Sequence, residues 1–179
     1  MFSDYGKPFY QSSEMLNLGK INSKTYKEFI HEWFEKSKRT IEQSALDLIM
    51  KYTQVHTFYV QYLCNKLYGL PVRKITSETV TDTLLRILEE NEVIYFNYKV
   101  LLTGNQFRLL EVIAKEGGVS KPTSKDFIGK YHLGTPSSVG AAMNALFKKE
   151  MIYKENGLIK VYDIFFSLWL ERRTTVIRN

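Results

Sequence analysis

Met151-Ile152-Tyr153-Lys154-Glu155-Asn156-Gly157-Leu158-Ile159-Lys160-Val161-Tyr162 is the stretch on which the fold turns. Two runs of apolar, β-branched and aromatic residues flank Asn156-Gly157. A two-residue turn of this kind needs positive φ at both positions, which Asn and Gly adopt at least cost. The stretch therefore predicts a β-hairpin.

The residues on either side predict helices. Thr135-Pro136-Ser137-Ser138 offers a cap followed by proline at the first helical position, and Val139, Met143, Leu146 and Phe147 then recur on one face. Ahead of it, Gly134 marks a tight turn and Ser124 to Tyr131 a short helix after Pro122. Phe107, Leu110, Ile113 and Ala114 mark a further helix that ends at Gly117-Gly118. Beyond the hairpin, Asp163 caps a last helix with Phe165, Leu168, Trp169 and Leu170. Helix, helix, tight turn, helix, hairpin is the winged-helix plan, a variant of helix-turn-helix.

The N-terminal half follows a different plan. Met1 to Asn22, with Gly6, Pro8 and Gly19 among scattered aromatics, reads as an extended piece attached to something else. Ser23 is the expected cap of a helix with Tyr26, Phe29, Ile30, Trp33 and Phe34 on one face. Thr40 and Gln43 suggest a capping box for a second helix carrying Ile41, Ala45, Leu48, Ile49 and Tyr52. A third helix, Thr57 to Leu67, turns Tyr59, Tyr62, Leu63 and Leu67 inward and stops at Gly69 and Pro71. From Thr76 one long helix is expected through Val80, Leu84, Ile87, Leu88, Ile94, Tyr95 and Tyr98, with Asp82, Glu89, Glu90 and Glu92 on its polar side. The expected fold class is mainly α: a helical bundle over 1–75, a connecting helix over 76–102, a winged-helix domain over 103–173 and a tail at 174–179.

Charge follows the same divisions. Residues 1–75 and 103–173 each carry 11 basic and 7 acidic residues, whereas 76–102 carry 2 and 5, so two basic modules flank an acidic connector. An excess of lysine suits an anionic partner, and it also keeps a surface soluble. No stretch approaches 18 consecutive apolar residues, and Met1 to Lys20 shows no apolar run behind a basic start, so neither a membrane span nor a secretory signal is expected, and the expected location is cytoplasmic.

The sequence argues against chemistry by this chain alone. It holds no phosphate-binding P-loop, no G-x-G-x-x-G and no G-x-S-x-G. Cys64 is the only cysteine, which excludes an internal disulfide, and His31, His56 and His132 are too far apart for a local metal motif. No metal site and no catalytic residue are expected, and Cys64 reads as a buried small hydrophobe.

Binding has firmer candidates. The third helix of the winged-helix plan offers Thr135, Ser137, Ser138 and Asn144 on its polar side, with Lys148 and Lys149 at its end. Lys121, Lys125 and Lys130 decorate the helix before it, and Lys154 and Lys160 the hairpin. In a major groove, short polar side chains would meet base edges while lysines hold phosphates. No arginine lies between Arg108 and Arg172, so the bidentate guanine contact is missing and protein docking stays open beside duplex DNA.

Several of these segments also resemble a known family. Leu102-Thr103-Gly104-Asn105-Gln106-Phe107-Arg108-Leu109-Leu110, Ile113-Ala114-Lys115-Glu116-Gly117, Ser137-Ser138-Val139 and Val161-Tyr162-Asp163-Ile164-Phe165-Phe166 with Trp169-Leu170 resemble the C-terminal part of prokaryotic AAA+ ATPases of the archaeal-type ATPase family, in the STAND group. Pro8-Phe9-Tyr10, Leu18-Gly19-Lys20-Ile21 and Phe58-Tyr59-Val60-Gln61-Tyr62-Leu63 resemble the helical lid of the same proteins. The resemblance implies an intact ATPase that binds ATP and Mg in a P-loop core absent from this chain, with 1–75 as the lid. It places His56, Phe58, Tyr59 and Gln61 near the nucleotide, with Thr57 where relatives carry proline. The chain would then be the lid and winged helix of a nucleotide-coupled regulatory module that is not an enzyme by itself. The alternative is a freestanding winged-helix transcriptional regulator whose N-terminal bundle senses a ligand or dimerises.

Overall fold

The computed structural model describes residues 21–176, with side chains described through Arg173. The N-terminal aromatics at Phe2, Tyr5, Phe9 and Tyr10, and the lid-like segments around them, lie outside the described residues.

The first helix, α1, spans Ser23–Lys36, and its cap is Asn22 rather than Ser23: the Asn22 side-chain oxygen accepts the Lys24 N–H at 2.8 Å. Of the five apolar residues expected on its inner face, only Tyr26, Ile30 and Phe34 are buried, while Phe29 and Trp33 stay 53% and 54% exposed. The buried three recur every four residues and so form one ridge. Phe29 and Trp33 fall on the flank of that ridge, where no further described helix of the bundle covers them.

The expected capping box at Thr40 and Gln43 does not form. Thr40–Ile41 is a short strand, β1, paired in parallel with β2 (Lys74–Ile75), and the Thr40 N–H is donated to the Arg73 carbonyl at 2.9 Å. Helix α2 (Gln43–Thr53) therefore starts at Glu42, whose side chain makes no cap bond. Ala45, Leu46, Ile49 and Met50 face the core from α2, and Val60, Leu63 and Leu67 from α3 (Thr57–Tyr68).

The expected single connecting helix is two helices, α4 (Ser77–Glu90) and α5 (Glu92–Val100), separated at Asn91. The Asn91 amide donates to the Ile87 carbonyl at 2.8 Å, closing α4, and its backbone carbonyl accepts the Tyr95 N–H that opens α5. Helix α4 begins with a reciprocal Thr76–Thr79 capping box. Two residues of its acidic side are paired back onto the protein, Glu90 with Lys66 at 2.7 Å and Glu89 with Arg172 at 3.8 Å.

The C-terminal elements follow the expected order: α6 (Gly104–Lys115), α7 (Lys125–Tyr131), α8 (Pro136–Lys148), β3 (Ile152–Glu155), β4 (Leu158–Val161) and α9 (Ile164–Val176). The hairpin is in register Ile152↔Val161 to Glu155↔Leu158, and Asn156 and Gly157 take φ of 50° and 80°. Val119 adds a third rung, exchanging both backbone hydrogen bonds with Ile159 at 2.8 and 2.9 Å.

One continuous core runs through both halves. The seam lies between α3 and α9, where the Phe165 ring stands 4.8 Å from Tyr59 and 6.0 Å from Tyr62. Beside it Tyr95 of α5 packs on Phe166 and Trp169 at 5.3 and 5.4 Å. No described helix is long and apolar enough to cross a membrane.

Candidate nucleic-acid interface

Helix α8 is held by its apolar row and turns a thin polar face outward. Val139, Ala142 and Leu146 are buried against α6, while Ser137, Ala141, Asn144 and Lys148 are exposed. These exposed positions recur at spacings of three and four, so they form one stripe along the helix. A Cβ added at Gly140 would meet nothing within 4 Å, so no described residue crowds the middle of this face.

The four short polar residues do not play equal parts. Thr135 and Ser138 form a reciprocal capping box: the Thr135 hydroxyl accepts the Ser138 N–H at 3.2 Å, and the Ser138 hydroxyl accepts the Thr135 N–H at 3.0 Å. They fix where α8 begins rather than offering free groups to a ligand. Ser137 and Asn144 are exposed, and their side chains have no partner among the described residues.

The lysines divide in the same way. Lys130 is paired with Glu116 at 2.8 Å, beside a Tyr131 hydroxyl that donates to the same carboxylate. Lys160 is paired with Glu155 at 2.9 Å across the hairpin, and the Lys149 ammonium donates to the Leu101 carbonyl at 3.3 Å. Lys121, Lys125, Lys148 and Lys154 are exposed and carry no ion pair or side-chain hydrogen bond among the described residues. Lys121 and Lys125 stand ahead of and at the start of α7, Lys148 closes the α8 stripe, and Lys154 lies on β3.

The fold of this region is matched independently. Residues 93–172 match a family model described as "Probable winged helix domain". This part of the chain is a winged helix. The match begins within α5, so it takes in the Tyr95, Phe96 and Trp169 cluster as well as α6 to α9. No curated protein and no solved structure matches the chain.

The four residues that the ATPase resemblance sets near a nucleotide are not alike in the structure. His56 and Phe58 are exposed at the start of α3, with the His56 ring 5.3 Å and the Phe58 ring 5.1 Å from Tyr59. Gln61 is exposed farther along the helix. Tyr59 points into the seam with the winged helix, where burial first, and then the Asp163 carboxylate, push its phenol above the ordinary range. Asp163 also caps α9 by accepting the Phe166 N–H at 3.0 Å. Tyr59 thus packs against the start of α9, and only the other three stay open to a ligand.

Cys64 lies under the bundle surface with its thiol pushed up to about 12 by burial, which makes it a poor nucleophile. Among the described residues no group of three His, Cys, Asp or Glu side chains stands close enough to hold a metal ion.

Sequence reasoning missed Arg173. Its guanidinium lies between two rings, 4.6 Å from Trp169 and 5.0 Å from Phe96, joining α9 to α5. The sequence signals half of this arrangement, in an aromatic and a basic residue four apart at Trp169 and Arg173, but not the distant Phe96.

Proposed function

We propose that the chain is a regulatory docking module whose winged helix seats on duplex DNA, largely through the phosphate backbone. One observation carries this reading: four exposed lysines without described partners on the winged helix, two ahead of and at the start of α7, one on β3, and Lys148 at the end of an α8 stripe otherwise made of small, uncharged residues. Lysines without internal partners release counterions when they meet phosphates, and this supplies affinity without sequence information. Ser137 and Asn144 are the remaining groups suited to base edges, so sequence preference is weak.

The finer reading places this module downstream of a nucleotide switch. The resemblance to AAA+ lids and winged helices supports an ATPase core, with its ATP and Mg, supplied from outside residues 1–179. Closure of such a core on the bundle would reach the winged helix through the seam at Tyr59, Tyr62 and Phe165. The chain alone then neither hydrolyses ATP nor binds it tightly, because its sequence has no phosphate-cradling loop. Micromolar ATP affinity in isothermal titration of this chain would overturn that part. The competing reading, a freestanding transcriptional regulator, requires a duplex of defined sequence to be bound far more tightly than random duplex.

The test of DNA docking is fluorescence anisotropy of a labelled random duplex across a salt series. Binding that weakens steeply with salt is expected. Lys148→Ala with Lys154→Ala should flatten the logarithmic slope by about 1.8, roughly 0.9 for each phosphate that is no longer neutralised. The paired lysines provide the control, since Lys130→Ala with Lys160→Ala should change it less. Absence of binding at low salt would end the DNA reading and favour a protein partner.

A further inference from the structure

Helix α5 buries Tyr95 in the core and leaves its opposite side uncovered. Val93 and Val100 are 72% and 83% exposed, and Ile94, Phe96 and Leu101 are exposed beside them. At about 3.6 residues per turn these five fall, with the exposed Asn97, within roughly half of the helix circumference, and Val93, Asn97 and Val100 run down its middle. No charge lies on this face. Glu92 and Lys99 border it: both are exposed, and because they are two turns apart they stand on the same flank. Neither has an ion pair among the described residues, and Lys99 rests against the Phe107 ring at 5.5 Å. Both arginines of α9 are already engaged, Arg172 by Glu89 and Arg173 by the Phe96 and Trp169 rings.

We propose that this face pairs with the same face of a second copy of the chain, the two α5 helices running antiparallel about a two-fold axis near Phe96 and Asn97. The charges select both the occupant and the direction. In an antiparallel two-fold pair each flank of one helix lies beside the same flank of the other, read in reverse, so Glu92 of each copy meets Lys99 of the other and two ion pairs form together. A parallel pair sets Glu92 beside the uncharged flank of Ile94 and Leu101 and leaves both charges unmatched. The two Asn97 amides meet near the axis, where one can donate to the other's carbonyl and fix the register. Nine residues rise about 14 Å, so the face is smaller than a standard stable interface and the dimer is a weak one, with a dissociation constant in the micromolar range. The pairing does not rest on DNA docking, since none of the lysines assigned to phosphates lies on α5.

The test is sedimentation velocity of the full chain from low micromolar to near-millimolar concentration, with circular dichroism confirming the fold of each variant. A sedimentation coefficient that rises with concentration from that of one chain to that of two is expected. Val100→Glu, at a position exposed in the single chain, should hold the protein monomeric throughout. Glu92→Lys alone and Lys99→Glu alone should each weaken the dimer about tenfold, because each sets like charges together at both ends of the pair, and the double variant should restore it. A chain that stays monomeric at every concentration, a dimer that Val100→Glu leaves intact, or two charge reversals whose effects add in the double variant would overturn the proposal. A dimer abolished instead by Trp33→Ser, on the exposed side of α1, would overturn it as well.

Discussion

The two halves of the chain use their aromatic residues in opposite ways. Between residues 103 and 173 only Tyr162 is a large apolar side chain left exposed, while Phe107, Phe165, Phe166 and Trp169 are buried. The bundle leaves Phe29, Trp33, Phe58 and Tyr68 open, and α5, where the winged-helix match begins, leaves Val93, Phe96 and Val100 open as well. The winged helix leaves little apolar surface because the hairpin, a third backbone rung and α8 pack around α6, while the bundle covers the remaining face of α9. The described bundle has too few layers to cover every apolar row, so its surplus faces outward. The difference separates a part whose exposed face is mainly polar and basic from a part that leaves apolar rows uncovered.

The sharpest way to break this comparison is in the core beside the seam. Phe166→Ala should cost about 3–5 kcal/mol, since the ring is fully buried among Tyr95, Tyr98 and Trp169. Denaturant unfolding should show a single transition, followed equally by Trp33 in the bundle and Trp169 in the winged helix. Two separate transitions would make the halves independent domains and remove the route by which one could move the other.

Capping provides a smaller effect. Thr135→Ala removes one side of the α8 capping box and should cost about 1 kcal/mol in denaturant unfolding. Trp33→Ser should cost less than Trp169→Ala, because the first ring is half in water and the second is buried. Equal losses would show that Trp33 belongs to the core.

The smallest effect concerns acidity. Burial raises the pKa of Glu111, and Arg108, Arg173 and Lys99 only partly oppose it. The folded state therefore holds this proton more tightly than the unfolded chain does. Its contribution to stability is largest at low pH and declines as pH rises from about 4 through the raised value. Glu111→Gln should flatten that decline in a pH series of denaturation midpoints, and an unchanged series would show that the group is hydrated.

Legibility followed the range of the interactions. Asn156-Gly157, Thr135-Pro136 and Asp163 are local devices whose geometry is decided by residues within four positions, and all three act as their sequence implies. Thr40 failed as a cap because its backbone pairs with Arg73, 33 residues away, which no local pattern announces. The long helix expected over 76–102 breaks at Asn91, whose side chain bonds back to Ile87 and competes with helix continuation. Within the binding face, the residue types were readable but their partners were not. Lys130 and Lys160 look like Lys125 and Lys154 in sequence, and only the fold gives the first pair carboxylates to meet.

By itself the sequence determined the succession of helices, the hairpin and the basic character of both halves, because periodicity, caps and turn residues act within a few positions of the chain. The tertiary structure alone decided which apolar faces are covered, which lysines are left without partners among the described residues, and that Tyr59 meets Phe165 instead of open solvent. Those outcomes depend on residues brought together from distant positions, where packing and desolvation rather than local propensity set the energy.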